Sequence, residues 1–195
     1  MTRIIILARM RGFAFHPTKE FATVKEATIK DAFKYYCILL AGLAAILAVF
    51  VAIAVIAASS MIDFLDISKF APLPAAGVFV GIIAVGLLVA LYLPVWLHLW
   101  VYVMGGRKGL KQTEKACMYG ATPCLMLGWL PGANIIIGPI WSLIVIINGV
   151  MELHKLSPGK AMIALILAIL VPLIAAGAIA AILAATLDPA MLLSG

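Results

Sequence analysis

What this sequence has least of is charge. Asp, Glu, Lys and Arg make up 11% of its 195 residues, against about 25% in an ordinary soluble domain. Hydrophobic residues fill 66% of the chain, and mean hydropathy is +1.21. Too few polar side chains remain to cover a water-facing surface. That excludes a water-soluble globular enzyme, and the apolar content excludes a disordered chain. The three cysteines, Cys37, Cys117 and Cys124, form no Cys-x-x-Cys pair and exclude a disulfide scaffold. They read as reduced thiols among apolar neighbours, with Cys37, at the edge of an apolar run, a candidate for acylation in a eukaryotic cell. Catalytic signatures are missing too: the chain has no Gly-x-Ser-x-Gly, no His-Glu-x-x-His and no phosphate-binding glycine loop. The expectation is a protein that is not an enzyme and carries no cofactor.

Long apolar runs are what the sequence does have. Five occur, at residues 35–61, 77–104, 116–130, 134–151 and 161–187. About 20 helical residues cross a hydrocarbon core roughly 30 Å thick. The first, second and fifth runs exceed that length. The third and fourth are marginal and are joined by Pro131-Gly132-Ala133, as two short spans or as a re-entrant hairpin; either way both ends return to one side. The fold class expected is all-α, an integral membrane bundle of five transmembrane helices spanning residues 35–195.

Residues 1–34 form a separate polar segment. The apolar stretch at 4–8 is too short to span and lacks a small-residue cleavage site, so it is a poor signal peptide. From Thr18 onward the pattern predicts a helix, with Thr18 as cap, Glu20 in the first turn, and Phe21, Val24, Thr28, Ala32 and Phe33 at three- to four-residue spacing. Lys19, Lys25, Glu26 and Lys30 take the opposite side. Such a segment is expected to lie flat on the membrane as an amphipathic interfacial helix.

Basic residues sit almost entirely on one side of these runs. Seven precede the first run (Arg3, Arg9, Arg11, Lys19, Lys25, Lys30, Lys34), four lie in 105–115 (Arg107, Lys108, Lys111, Lys115) and two in 152–160 (Lys155, Lys160). Lys69 stands apart, and the opposite side carries Asp63, Asp66 and Asp188. The asymmetry predicts a cytoplasmic N-terminus and a C-terminus on the far side. Beside apolar spans, a net charge of +6 reads as attraction to anionic lipid head groups. Nucleic acid is not expected, because neither an aromatic platform nor a basic helix outside the membrane accompanies the charge.

Charged groups persist inside a membrane mainly where function needs them. The five runs contain no Asp, Glu, Lys or Arg, which weighs against proton- or sodium-coupled transport. His98 is the polar exception, set among Tyr92, Trp96, Trp100 and Tyr102, where a neutral imidazole hydrogen-bonded in an aromatic belt is expected. With Cys117 and Cys124 it does not amount to a metal site. Glu152 and His154 are two apart, so they do not face each other, and they read as a solvated rim. Pro94, Pro123, Pro139 and Pro172 each free a carbonyl one turn earlier, which Thr122 or Asn148 could satisfy. A cavity around these kinks, lined by His98, Thr122, Trp141 and Asn148, is the basis of an alternative reading as a small-molecule channel or carrier. Gly105-Gly106-Arg107-Lys108-Gly109 is a turn out of the membrane, which makes Arg107, Lys108 and Lys111 the expected lipid or partner contacts. Small residues, Gly77 and Gly81 in the second run and the alanines of the fifth, are expected to let helices of this chain pack closely, with a second copy as the other candidate.

One string of motifs carries a resemblance. His98-Leu99, Gly105-Gly106, Tyr119, Thr122-Pro123, Gly128-Trp129-Leu130-Pro131, Trp141, Gly149, Glu152-Leu153-His154 and Ala161 occur in order, after Phe15-x-Pro17-x-x-x-Phe21 ahead of the first run. They resemble the Yip family of multispanning membrane proteins, named for interaction with Ypt/Rab GTPases, over nearly the whole chain. For eukaryotic members the resemblance implies binding of prenylated small GTPases, vesicle formation, and a place in endoplasmic reticulum or Golgi membranes. The short segment 1–34 is more like that of prokaryotic members, for which the plasma membrane is expected. The combined expectation is membrane organisation or a trafficking-type role through the cytoplasmic face. The partner classes are lipids, a small GTPase or another membrane protein.

Overall fold

The computed structural model describes residues 3–59 and 68–186, and every regular element among them is helical. In chain order these are α1 (Arg3–Phe15), α2 (Pro17–Thr23), α3 (Ile29–Ser59), a 3-10 turn (Ser68–Phe70), α4 (Pro72–Val103), α5 (Leu110–Gly120), α6 (Thr122–Leu127), α7 (Ile137–His154) and α8 (Pro158–Thr186). Asp63, Asp66 and Asp188 lie outside the described residues.

Four of these helices, α3, α4, α7 and α8, are long and apolar enough to cross a bilayer. They correspond to the first, second, fourth and fifth apolar runs. The third run is divided between α5, of 11 residues, and α6, of 6. A helix of 11 residues reaches about 16 Å, roughly half of a hydrocarbon core. The break comes at Ala121, because Pro123 has no N–H to offer the carbonyl of Tyr119.

The core occupies one end of the bundle. Buried residues run only from Ala32 to Ala44 in α3, from Ala90 to Val101 in α4 and from Ala161 to Ala168 in α8. Beyond them α3 exposes Val49, Phe50 and Ile53, α4 exposes Val80, Val85 and Leu88, and α8 exposes Leu173 and Ile174. Exposed surface of that kind is at home among acyl chains. At the buried end α5 packs against α3, α4 and α7, and α7 against α8. The basic loops between α4 and α5 and between α7 and α8 emerge here.

The N-terminal segment departs from the expected flat helix. Helix α2 stops at Thr23, and α3 restarts at Ile29 behind a capping box in which the Thr28 hydroxyl donates to Asp31 Oδ2 (2.8 Å) and accepts from the Asp31 N–H (3.3 Å). Thr28 therefore caps a helix instead of lining an apolar face. Phe13, Phe21 and Val24 have no exposed surface. The Phe13 ring stacks on Tyr119 at 4.6 Å and meets Phe21 edge-on at 5.0 Å, and Tyr35 completes the cluster 5.3 Å from Tyr119. Periodicity placed Phe21 and Val24 on an apolar side correctly. What that side meets is protein, because α5 and α7 present aromatic and glycine surface to receive it.

Close packing is carried by different glycines from those expected. A Cβ at Gly77 or Gly81 would meet nothing within 4 Å, and the alanines after residue 174 are exposed wherever described. Gly149, by contrast, lies against Phe21, and Gly120 against the backbone of Ile146. These positions let the N-terminal segment and α5 sit down on α7.

Candidate functional site

The inner ends of α4 and α7 and the first turn of α5 hold a chain of polar side chains. His98 Nδ1 lies 2.8 Å from Thr113 Oγ1, and the same hydroxyl lies 2.9 Å from His154 Nε2. The two imidazole centroids are 5.8 Å apart. Thr113 is fully buried and His154 is 4% exposed, so the expected solvated rim at residue 154 is corrected. His154 is drawn in because it continues the face of α7 that buries Ile146, Val150 and Leu153, and the chain turns away only at Lys155, with a left-handed φ of 58°. Gly106 closes over it: a Cβ there would sit 3.0 Å from His154 Nδ1. His98 is hydrogen-bonded at the end of its span, as expected, but its partner Thr113 was missed. Thr113 has a detectable signal, since Ala116, Cys117 and Gly120 follow at three, four and seven residues and all are buried.

Outside this chain of side chains lies an open, largely apolar groove of about 440 Å³ along α4, lined by Tyr92, Val95, Trp96, His98, Leu99 and Tyr102. His98 Nε2 has no hydrogen-bond partner among the described residues. At the end of the groove the Arg107 guanidinium stacks 3.7 Å from the Tyr102 ring centroid and donates to the Tyr102 carbonyl.

Arg107, Lys108 and Lys111 are all exposed. The single ion pair among the described residues joins Lys155 and Glu152, so these three cations have no carboxylate partner there. Gly105 and Gly109 take φ of 98° and 86°, the conformations that turn the loop out of the helix and let the cations project. Lys115, the fourth cation of that stretch, behaves differently. It is 4% exposed, and its ammonium donates to the carbonyls of Lys25 (2.7 Å) and Ala27 (3.1 Å), tying down the turn between α2 and α3.

Four residues were expected around one cavity, and the structure separates them. Thr122 caps the carbonyl freed by Pro123, donating to Tyr119 O at 2.6 Å, as expected of a hydroxyl beside that proline. Its hydroxyl proton thus committed, Thr122 accepts from the Tyr35 hydroxyl at 3.0 Å. Trp141 Nε1 donates to Ala14 O at 2.9 Å, and Asn148 links Thr18 (2.9 Å) to its own helix at Ile144 O (2.8 Å). Asn148 thus serves no proline-freed carbonyl. The carbonyl that Pro172 frees, Ala168 O, is taken by Trp96 Nε1 at 2.8 Å. Only His98 of the four reaches the groove described above. A smaller apolar cavity of about 230 Å³, lined by Leu93, Cys117, Met118, Cys124 and Ile146 among others, is bordered by none of the four. Among the described residues, no group of three or more His, Cys, Asp or Glu is placed to hold a metal ion.

A family model described as the Yip1 domain matches residues 11–181. No curated protein and no solved structure matches the chain. The matched stretch runs from the end of α1 into α8 and contains every residue of the polar chain, the groove and the basic loop.

Proposed function

The chain belongs to the Yip1 domain family, a family of multi-pass integral membrane proteins, and from that premise we propose that its basic end is a cytoplasmic docking face for anionic lipid. The observation that carries this is the loop from Gly105 to Gly109 and the first turn of α5, where Arg107, Lys108 and Lys111 stand exposed, with no carboxylate partner among the described residues, beside the aromatic end of α4. Cations at head-group level next to Tyr and Trp are the pattern of an inner membrane surface. In this reading the N-terminus is cytoplasmic, α5 and α6 together supply the fifth crossing, and the protein organises membrane or recruits a partner without catalysing a reaction. In a eukaryotic cell the partner class includes a small GTPase or another membrane protein, in endoplasmic reticulum or Golgi. In a prokaryote the membrane is the plasma membrane.

The test is vesicle capture by the full chain held in neutral nanodiscs. Juxtamembrane cations contribute about 1 kcal/mol each toward an anionic surface. Reversing two of them, Lys108→Glu with Lys111→Glu, therefore weakens capture of phosphatidylglycerol vesicles by at least about 30-fold. Capture of phosphatidylcholine vesicles stays as it was. Unchanged capture of the anionic vesicles would refute the proposal.

A further inference from the structure

We infer that the groove on α4 is a site for one anionic phospholipid, its phosphate held by His98 Nε2–H and Arg107 and its acyl chain laid along Leu99, Val95 and Tyr92. The inference rests on the lipid-docking reading above and gives it one defined site.

The argument begins with where protons can sit in the buried chain. A neutral imidazole donates from one nitrogen and accepts at the other. The Thr113 hydroxyl touches a nitrogen of each histidine, so it donates to one and accepts from the other. His154 Nδ1 is buried without a hydrogen-bond partner, and it faces Gly106, whose added Cβ would lie 3.0 Å from it. A bare lone pair tolerates that C–H neighbour, whereas a buried N–H without an acceptor is the costlier orphan. His154 therefore carries its proton on Nε2 and donates to Thr113. Thr113 in turn donates to His98 Nδ1, and His98 is left with its proton on Nε2, the nitrogen without a partner among the described residues. The buried chain presets an outward donor, and what it lacks is an acceptor.

The groove defines what that acceptor belongs to. Its walls are aromatic and aliphatic, and Tyr92, Val95, Leu99 and Tyr102 are exposed on a helix long and apolar enough to cross a bilayer. Tyr92 and Tyr102 are ten residues apart, roughly 15 Å along the helix, which accommodates a good part of an acyl chain. At the Tyr102 end stands Arg107, a cation with no carboxylate partner among the described residues, whose guanidinium keeps further N–H groups free after its bond to the Tyr102 carbonyl. A guanidinium on Tyr102 at the end of an apolar trough, and an imidazole donor one helical turn before it, match a phosphate joined to a hydrocarbon chain.

Native mass spectrometry of the full chain in mild detergent, titrated with phosphatidylglycerol, tests this. We expect one tightly held lipid per chain, with occupancy falling about tenfold in His98→Ala and in Arg107→Ala, the worth of one charge-assisted hydrogen bond. Glycerol phosphate without acyl chains does not bind. Equal retention in His98→Ala, or equal binding of glycerol phosphate, overturns the site. A second readout needs only the wild-type protein: in ¹⁵N spectra the His98 ring carries its proton on Nε2, and that resonance moves on lipid addition while the His154 ring stays put. A His98 resonance that does not move also overturns the site. Vesicle capture that falls on reversal of Lys108 and Lys111, together with unchanged lipid occupancy in His98→Ala, would sink this site and leave the docking face standing.

Discussion

Replacing Gly149 by alanine puts the most unexpected contact of this fold under direct stress. The added Cβ would lie 2.7 Å from Phe21 Cζ, 3.0 Å from Phe21 Cε1 and 2.9 Å from Ala116 Cβ. Carbon atoms prefer about 3.5–4.0 Å, so the three contacts are short by about 0.5–1.3 Å. Phe21 has no exposed surface and is held by Phe13, so the ring cannot simply swing away. Overpacking of this kind costs about 1–3 kcal/mol. Phe21→Ala alone costs about 3–5 kcal/mol through its cavity. The two together should cost less than their sum by about 1–2 kcal/mol, because removing the ring removes two of the three close contacts and leaves only the Ala116 methyl. Reversible unfolding of the four proteins in mixed micelles, followed by circular dichroism, measures the cycle. If the N-terminal segment lay flat on the membrane, residues 21 and 149 would never meet. Additivity within about 0.5 kcal/mol would therefore refute the docked arrangement.

Thr122→Val keeps the shape of the side chain but removes the acceptor of the buried Tyr35 hydroxyl, while the Tyr119 carbonyl keeps a backbone N–H at the end of α5. At about 1–3 kcal/mol for that one orphan, the same unfolding assay should record a loss of this size, and a loss below about 0.5 kcal/mol would mean that water or another acceptor serves it. Orientation is tested with single cysteines in a variant whose Cys37, Cys117 and Cys124 are replaced by alanine. In intact cells Lys108→Cys and Lys160→Cys should resist a membrane-impermeant maleimide, whereas Ala133→Cys, between α6 and α7, should react; labelling of residue 108 with protection of residue 133 would invert the topology.

Much of the architecture was legible in one dimension. The ends of α4, α7 and α8 fall within five residues of the apolar runs that announced them, because a span is defined by summed side-chain hydropathy over about 20 positions. The third run is broken into two helices with shifted bounds because hydropathy does not register the lost donor at Pro123, and α5 recruits polar residues from Leu110 onward that a hydropathy window excludes. Segment 18–34 failed for a related reason. Its apolar side was real, yet an amphipathic pattern does not say whether lipid or protein covers it. Lys115, read as one more interfacial cation, shows the same limit: its two carbonyl partners lie 90 and 88 residues away.

Sequence alone determined which stretches of this chain are long and apolar enough to cross a bilayer, and its charge count set the expectation that nearly all the positive charge lies on one side, because transfer free energies and charges are properties of residues taken singly. It also singled out His98, whose polarity stands out in an apolar run. Only the tertiary structure decided what His98 touches. The hydroxyl that orients it lies 15 residues on, and the second imidazole 41 residues beyond that hydroxyl. A hydrogen bond exists only where folding brings donor and acceptor to within about 3 Å, and no pattern along the chain encodes that distance.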